Sequence, residues 1–392
     1  MSDFGFDRII DRRGTYSYKY DGLKKVFGRD DVLPMWVADM DFAVPPAVQE
    51  AIRRRAEHPV YGYTFRPDAY YLSIIDWLGR RHGWPVEREW IVYTPGIVPA
   101  LNMAVQGFTE PGDGVILQSP VYHPFFWAID LNHRKMLNSR LVEEEGYYTI
   151  DFDDLEEKAR GAKMLLLSNP HNPVGRSWEE EELRRLGEIC VEHDVLIVSD
   201  EIHADLTLPG HRHVPLASLT EEIAARTITC MAPSKTFNLA GLSTSSVIIS
   251  DERVRERFKA VVESLHIGGG NLFGIEASIA AYNQGEPWLE ALLEYVRGNV
   301  EYVRTFLKEE MPEVKMSPVE ATYLLWLDFR ETAIEGEELK QFMVEEAKVG
   351  GNDGAMYGPG GEGFVRLNVA CPRVIVEEAF ERIYKALKKR RT

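Results

Sequence analysis

Cysteine is scarce. The 392 residues hold three, Cys190, Cys230 and Cys371, at long spacings and without a CxxC pair. That argues against a disulfide framework and fits a reducing compartment. No window approaches the roughly 18 uninterrupted apolar residues of a membrane span, so none is expected. The opening MSDFGFDRIIDRRG is charged from Asp3 onward and has no apolar leader segment. A cytoplasmic protein is the expectation. Internal repeats and low-complexity linkers are missing too. So is an excess of positive charge: 45 Lys and Arg face 62 Asp and Glu, for a net charge of -17. A general nucleic-acid binder is therefore not expected. The local basic run Lys388-Lys389-Arg390-Arg391 reads as a solvated helix end that suits the helix dipole.

What is present is ordinary globular composition, 45% hydrophobic and 27% charged, over a length that suggests about two domains. Short apolar runs alternate with longer amphipathic stretches. The expected strands are Trp90–Tyr93, Val115–Gln118, Met164–Ser168, Val195–Ser199, Thr227–Met231 and Ser246–Ile249. Between the third and fourth, Ser177 with Glu180 makes a capping-box pattern, and Leu183, Leu186 and Cys190 recur at helical spacing. Repeated strand–helix–strand units predict an α/β fold with a mostly parallel sheet covered by helices on both faces. The last third reads as a smaller α+β domain. Its helical stretches are Trp288–Glu309 and Glu337–Val349, its strands Tyr323–Asp328 and Phe364–Val369. A final helix puts Val376, Phe380, Ile383 and Leu387 on one stripe. The expected organisation is an arm over 1–45 packing on the small domain, a large domain over 46–285 and the small domain over 286–392.

Special residues follow the strands. Thr94-Pro95-Gly96-Ile97-Val98 opens a helix; Tyr122, Asn172, Asp200-Glu201-Ile202-His203 and Pro233-Ser234-Lys235 each follow a strand. In a parallel sheet those ends share one edge, where open α/β sheets bind ligands. Lys235 ends an apolar run without an acidic neighbour in MAPSKTFNLAGL. A phosphate-capable turn, an aromatic, an amide, a carboxylate and an amine thus converge. That set suits pyridoxal phosphate. Its aldehyde takes a lysine of low solvation, its pyridine nitrogen a carboxylate, its phosphate the N–H groups of a helix start and its ring an aromatic face.

MWVADMDF (35–42), YGY (61–63), TPGIVPAL (94–101), SPVYHPFF (119–126), SNPHNPVGR (168–176), SDEIHADL (199–206), APSKTFNLAGL (232–242) and GFVRLNVACPR (363–373) occur in this order over nearly the whole chain. With them the chain resembles the fold-type I pyridoxal-phosphate enzymes, and among them the MalY/PatB group of cystathionine β-lyases. The resemblance implies an aspartate-aminotransferase-like fold with a seven-stranded, mostly parallel sheet. It implies that Lys235 binds the cofactor aldehyde and moves the Cα proton, that Asp200 pairs with the ring nitrogen and that Asn172 bonds the ring oxygen. His203 stands where many transaminases of this fold have a tyrosine that also meets that oxygen. Tyr122 would stack on the ring. Gly96, Ile97, Val98 and Ser234 would hold the phosphate, and Tyr63 would reach the phosphate of a neighbouring subunit in a homodimer. Arg366 would clamp the carboxylate of an amino-acid substrate, with Ala38 and Asn172 beside it. Two positions depart from the wider pattern. Ser243 replaces an arginine eight residues after the lysine, and Ala232 replaces a serine three before it.

Each residue alone has a plainer reading: a surface lysine, a helix N-cap at Asp200, a turn at Asn172, core aromatics at Tyr63 and Tyr122, an ion-pair arginine at Arg366. The set gives them a common purpose. Gly268-Gly269-Gly270 and Gly358-Pro359-Gly360-Gly361 lack the setting of a dinucleotide fingerprint and are expected as mobile loops near the substrate rim. His211 and His213 lack a third metal ligand and are expected in solvent; no metal is expected. The implied reaction is α,β-elimination on cystathionine or a related cysteine S-conjugate. Transamination uses much the same groups and is the alternative. A regulatory binding protein on this fold is a third reading, which the acidic charge does not favour.

Overall fold

The computed structural model describes residues 4–332, 334 and 336–391. The outermost residues of the expected arm and small domain, 1–3 and 392, lie outside that range, as do Ala333 and Glu335. Seven strands form the main sheet: β1 Ile91–Thr94, β2 Gly114–Leu117, β3 Lys135–Asn138, β4 Ala162–Ser168, β5 Leu196–Asp200, β6 Thr227–Met231 and β7 Ser245–Ile248. Their spatial order is β1-β7-β6-β5-β4-β2-β3. All neighbours are parallel except those of β7, which runs antiparallel between β1 and β6.

Alternate residues of the central strands enter different cores, as a two-sided sheet demands. Met164 and Leu166 join Val198 in one core; Leu165 and Leu167 join Ile197 in the other. Helices Ile97–Phe108 and Glu252–Ser264 cover the first face, and helix Glu180–Glu192 the second. A four-stranded antiparallel sheet of Lys315–Met316, Leu324–Asp328, Phe364–Asn368 and Asn352–Asp353 builds the C-terminal part. The final helix, Arg373–Arg391, buries Val376, Phe380, Ile383 and Leu387, the stripe expected from its spacing.

Several expectations are corrected. Strand ends move by one or two residues, so Trp90, Gln118 and Ile249 fall outside their strands. The capping box is Glu179 with Glu182, because the Ser177 hydroxyl donates to the Arg212 carbonyl at 3.1 Å. The stretch 337–349 is helical only over Glu337–Gln341, continues as a π turn over Phe342–Glu346, and ends with Val349 paired to Leu33. His211 is exposed, but His213 is buried and meets Glu201 at 2.8 Å. The glycine runs do not line the site cavities. Arg66 donates to the Gly268 carbonyl at 2.6 Å. At Gly358, with φ +85°, a Cβ would lie 2.3 Å from the Phe126 ring, so close packing and not looseness calls for glycine.

The N-terminal segment is no random tail. Phe6 packs on Phe42 and Trp288 with ring centroids 4.9 and 5.7 Å apart. Buried Lys19 pairs with Asp41 at 2.8 Å. Two amides hold the stretch that follows. Asn368 donates to the Val37 and Asp39 carbonyls, and Asn238 donates to those of Met40 and Phe42. This fixes Trp36 and Ala38 above the edge of the main sheet.

Candidate active site

The C-terminal ends of β1, β4, β5 and β6 open on one cavity of about 160 Å³. Ala38, Gly96, Ile97, Val98, Tyr122, Asn172, Asp200, His203, Ser234 and Lys235 all line it. So do Ser168, Ser243 and Thr244, the last two brought there by the antiparallel β7. The two departures, Ala232 and Ser243, are also in its wall. Helix Ile97–Phe108 begins at this cavity, and its free N–H groups suit an anion.

Lys235 lies in a single helical turn, Pro233–Thr236, directly after β6. Its Nζ donates to the Ala38 carbonyl at 2.6 Å, and that oxygen also accepts from the Tyr323 hydroxyl at 3.1 Å. Burial, assisted by the positive charge of Arg366, pushes the amine down to about 8. Asp200 is buried at the end of β5, where its Oδ1 accepts from the Ile202 N–H at 3.2 Å. No ion pair reaches it among the described residues. Burial pushes its carboxyl up to about 7. A carboxyl so exposed to a cavity and so short of donors fits a cationic ring nitrogen. His203 is held well below its usual range by burial, then by Lys235 and Arg366. Its Nδ1 is buried without a partner among the described residues. Burial raises the Tyr122 phenol, which therefore stays protonated.

Arg366, on strand Phe364–Asn368, is buried. It donates to Asn172 Oδ1 at 3.0 Å, and to the Trp36 carbonyl and Asn352 Oδ1 at 2.9 Å each. Since Asn172 Oδ1 is engaged, its Nδ2 is the donor left for a ligand. The free bidentate fork expected at Arg366 is thus partly taken up by the protein, and a carboxylate would share or displace those acceptors. Tyr63 does not enter the cavity: its side chain is fully exposed, within the exposed apolar run Val60, Tyr61, Tyr63 and Phe65.

A second cavity of about 420 Å³ adjoins the first. It shares Ala38, Tyr122 and Lys235 and adds Arg366, Asn352, Trp36, His123 and Trp127. Sequence reasoning missed the last four. They come from three segments far apart in the chain, Trp36, the neighbours His123 and Trp127, and Asn352, without a common motif. Only the quoted MWVADMDF and SPVYHPFF stretches, which contain Trp36 and His123, offered a signal. No cluster of metal-ligating residues occurs among the described residues.

A mostly parallel sheet with an amine, a carboxyl and an amide at one edge defines a class, and the sequence comparisons agree with it. Residues 30–383 match the class I and II aminotransferase family, to which the chain belongs. It is 47% identical to cystathionine β-lyase PatB of Bacillus subtilis, over 97% of this chain and 99% of that one. With protein MalY of Escherichia coli it shares 31% identity, over 98% and 99% of the two chains. Among solved structures, cystalysin of Treponema denticola, described as containing pyridoxal 5'-phosphate, superposes with a TM-score of 0.96 at 38% identity and covers 99% of this chain and all of that one. The pyridoxal-phosphate-bound C–S lyase of Staphylococcus hominis gives 0.92 at 36% identity, covering 98% of each chain.

Proposed function

We propose that this protein is a pyridoxal-phosphate-dependent carbon–sulfur β-lyase. It cleaves L-cystathionine or related cysteine S-conjugates to a thiol, pyruvate and ammonia. The observation that carries the reading is the convergence of Lys235, Asp200, Asn172 and Arg366 on adjoining cavities, in a chain related over its whole length to cystathionine β-lyases. The bound cofactor supplies an electron-accepting ring, conjugated to the substrate amine, that draws charge away from Cα.

The chain's own residues do the rest. Lys235 is the amine that holds the cofactor and then takes the Cα proton; its low pKa keeps a usable fraction neutral. With the cofactor bound, Asp200 would keep a proton on the ring nitrogen, and Asn172 Nδ2 would donate to the ring oxygen with His203 beside it. Tyr122 would cover the ring, and the phosphate would fall to Gly96, Ile97, Val98 and Ser234 at the helix start. In the elimination the Cα–H and Cβ–S bonds break and a Cα–Cβ double bond forms. The sulfur leaves with the electron pair and takes up a proton. Water then converts the released enamine to pyruvate and ammonia. The test supplies L-cystathionine without any 2-oxo acid. Pyruvate and free thiol appear in equal amounts if the reading holds; product that requires an added 2-oxo acid makes the protein an aminotransferase.

Arg366 is assigned the substrate carboxylate, flanked by Asn172 and Ala38. Arg366→Ala is expected to raise KM for L-cystathionine by roughly 10²-fold, the scale of losing a buried charge-assisted pair. Arg366→Lys should recover part of that loss. An unchanged KM in both variants removes Arg366 from the substrate. We read 46–285 as the cofactor domain, 286–392 as the smaller domain and 1–45 as its arm. Limited proteolysis cutting first inside 46–285 would contradict that division. The exposed Tyr63 run fits a homodimer in which Tyr63 completes the partner's phosphate site. A protein that is monomeric and active at assay concentration would end that assignment.

A further inference from the structure

We infer that Asp205, acting through Thr236, is a positioning residue that holds the Lys235 amine in register with the Asp200 carboxyl. This rests on the reading of Lys235 as the amine that holds the cofactor, and adds a residue behind it. Lys235 and Asp200 must grip one cofactor at different points, so their spacing has to be fixed. They stand on neighbouring strands. Asp200 at the end of β5 lies opposite Cys230 of β6, and the Glu201 N–H donates to the Cys230 carbonyl at 2.9 Å. Beyond that rung the chain enters two short turns, Ala204–Leu206 after β5 and Pro233–Thr236 after β6. One hydrogen bond joins those turns among the described residues, from Thr236 Oγ1 to Asp205 Oδ2 at 2.7 Å.

Asp205 is buried, and its two oxygens divide the work. Oδ1 faces helix Asp68–His82: it accepts from Trp77 Nε1 at 3.0 Å and lies 2.8 Å from His82 Nε2. Arg81 of the same helix brings its charge to 3.8 Å. Oδ2 is left to Thr236. The helix thus fixes the carboxylate, and the carboxylate fixes the residue after Lys235. Trp77 adds to this by packing edge-on against Phe237, the residue after Thr236, with ring centroids 5.5 Å apart. Lys235 needs such support. Its turn has four residues, and the other side-chain hydrogen bond that turn makes among the described residues is the one from Lys235 to Ala38. That bond draws on the same nitrogen that the chemistry needs, so the tie through Thr236 is the one that persists. Apolar packing could hold the turn with less desolvation; a charged acceptor adds direction.

The test follows how fast cofactor-free protein captures pyridoxal phosphate. Borohydride is added at timed intervals, and the label on Lys235 is measured by mass spectrometry. Thr236→Val keeps the shape of the side chain and removes its donor. Its capture should be slower by about fivefold or more. Once loaded, its kcat for L-cystathionine should be roughly tenfold lower with KM changed less than about twofold, the scale of a small misplacement of the reacting amine. Thr236→Ser keeps the hydroxyl and should stay within about twofold of wild type in capture and kcat. Asp205→Asn, similar in shape and uncharged, serves if the valine protein fails to fold; slower capture and lower kcat at unchanged KM are expected of it too. Wild-type capture and kcat in whichever of these two folds overturn the inference. A serine variant as slow as the valine one also overturns it, because shape and not the hydrogen bond would then decide. Capture slowed as expected, in a protein whose wild type yields no pyruvate, supports the positioning of Lys235 and ends the lyase reading alone.

Discussion

Lys235→Ala is expected to cut pyruvate formation from L-cystathionine by roughly three orders of magnitude or more, the upper scale for losing a positioned acid–base group. No neighbour can take over. Tyr122 is kept protonated by burial, and His203 is held too weakly basic in the same environment. Arg366 offers only donors, already turned to Asn172, Asn352 and the Trp36 carbonyl. The fold should survive the change. The side chain gives up its hydrogen bond to the Ala38 carbonyl, worth on the order of 1 kcal/mol net. The turn itself is anchored on both sides of it. Thr236 donates to Asp205 at 2.7 Å, and Phe237 is fully buried. A small primary amine added to the variant should restore part of the rate, because the missing group is then supplied from solution. A variant retaining more than a tenth of wild-type activity would remove Lys235 from the chemistry.

Asp200→Asn should lower the same rate by roughly 10²- to 10³-fold, since a neutral amide cannot hold a proton on the ring nitrogen. It should also change stability without cofactor, in a defined direction. The folded carboxyl, at about 7, lies above its ordinary 3.8. Folding therefore favours the protonated form. That contribution is complete below about pH 4 and is lost as pH rises toward and through 7. Cofactor-free wild-type protein should lose stability over that window relative to Asp200→Asn, on the order of 4 kcal/mol in total, read as a falling melting temperature. Parallel pH profiles for the two proteins would show that Asp200 is not a buried, unpaired carboxyl.

The strand ends were legible because Lys235, Asp200 and Asn172 each follow a short apolar run, and a parallel sheet leaves such ends few places to go. The antiparallel β7 was not legible. Ser245–Ile248 is as short and as buried as its neighbours, and direction leaves no periodic trace. It matters, because it delivers Ser243 and Thr244 to the cofactor cavity. The second cavity was hidden for another reason. Tyr18, Trp36, Trp127, Met343 and Arg366 meet through tertiary packing, and their spacing in sequence says nothing of it. His213 reads as a solvent histidine until Glu201, twelve residues earlier, is seen to hold it in the interior. Tyr63 was singled out on motif alone, and a single chain leaves it facing outward.

The most direct measurement reduces the purified, cofactor-loaded protein with borohydride and maps the label by mass spectrometry. The account predicts one pyridoxyl-phosphate group per chain, on Nζ of Lys235. Label on another lysine, or protein that takes up no cofactor at all, would contradict it.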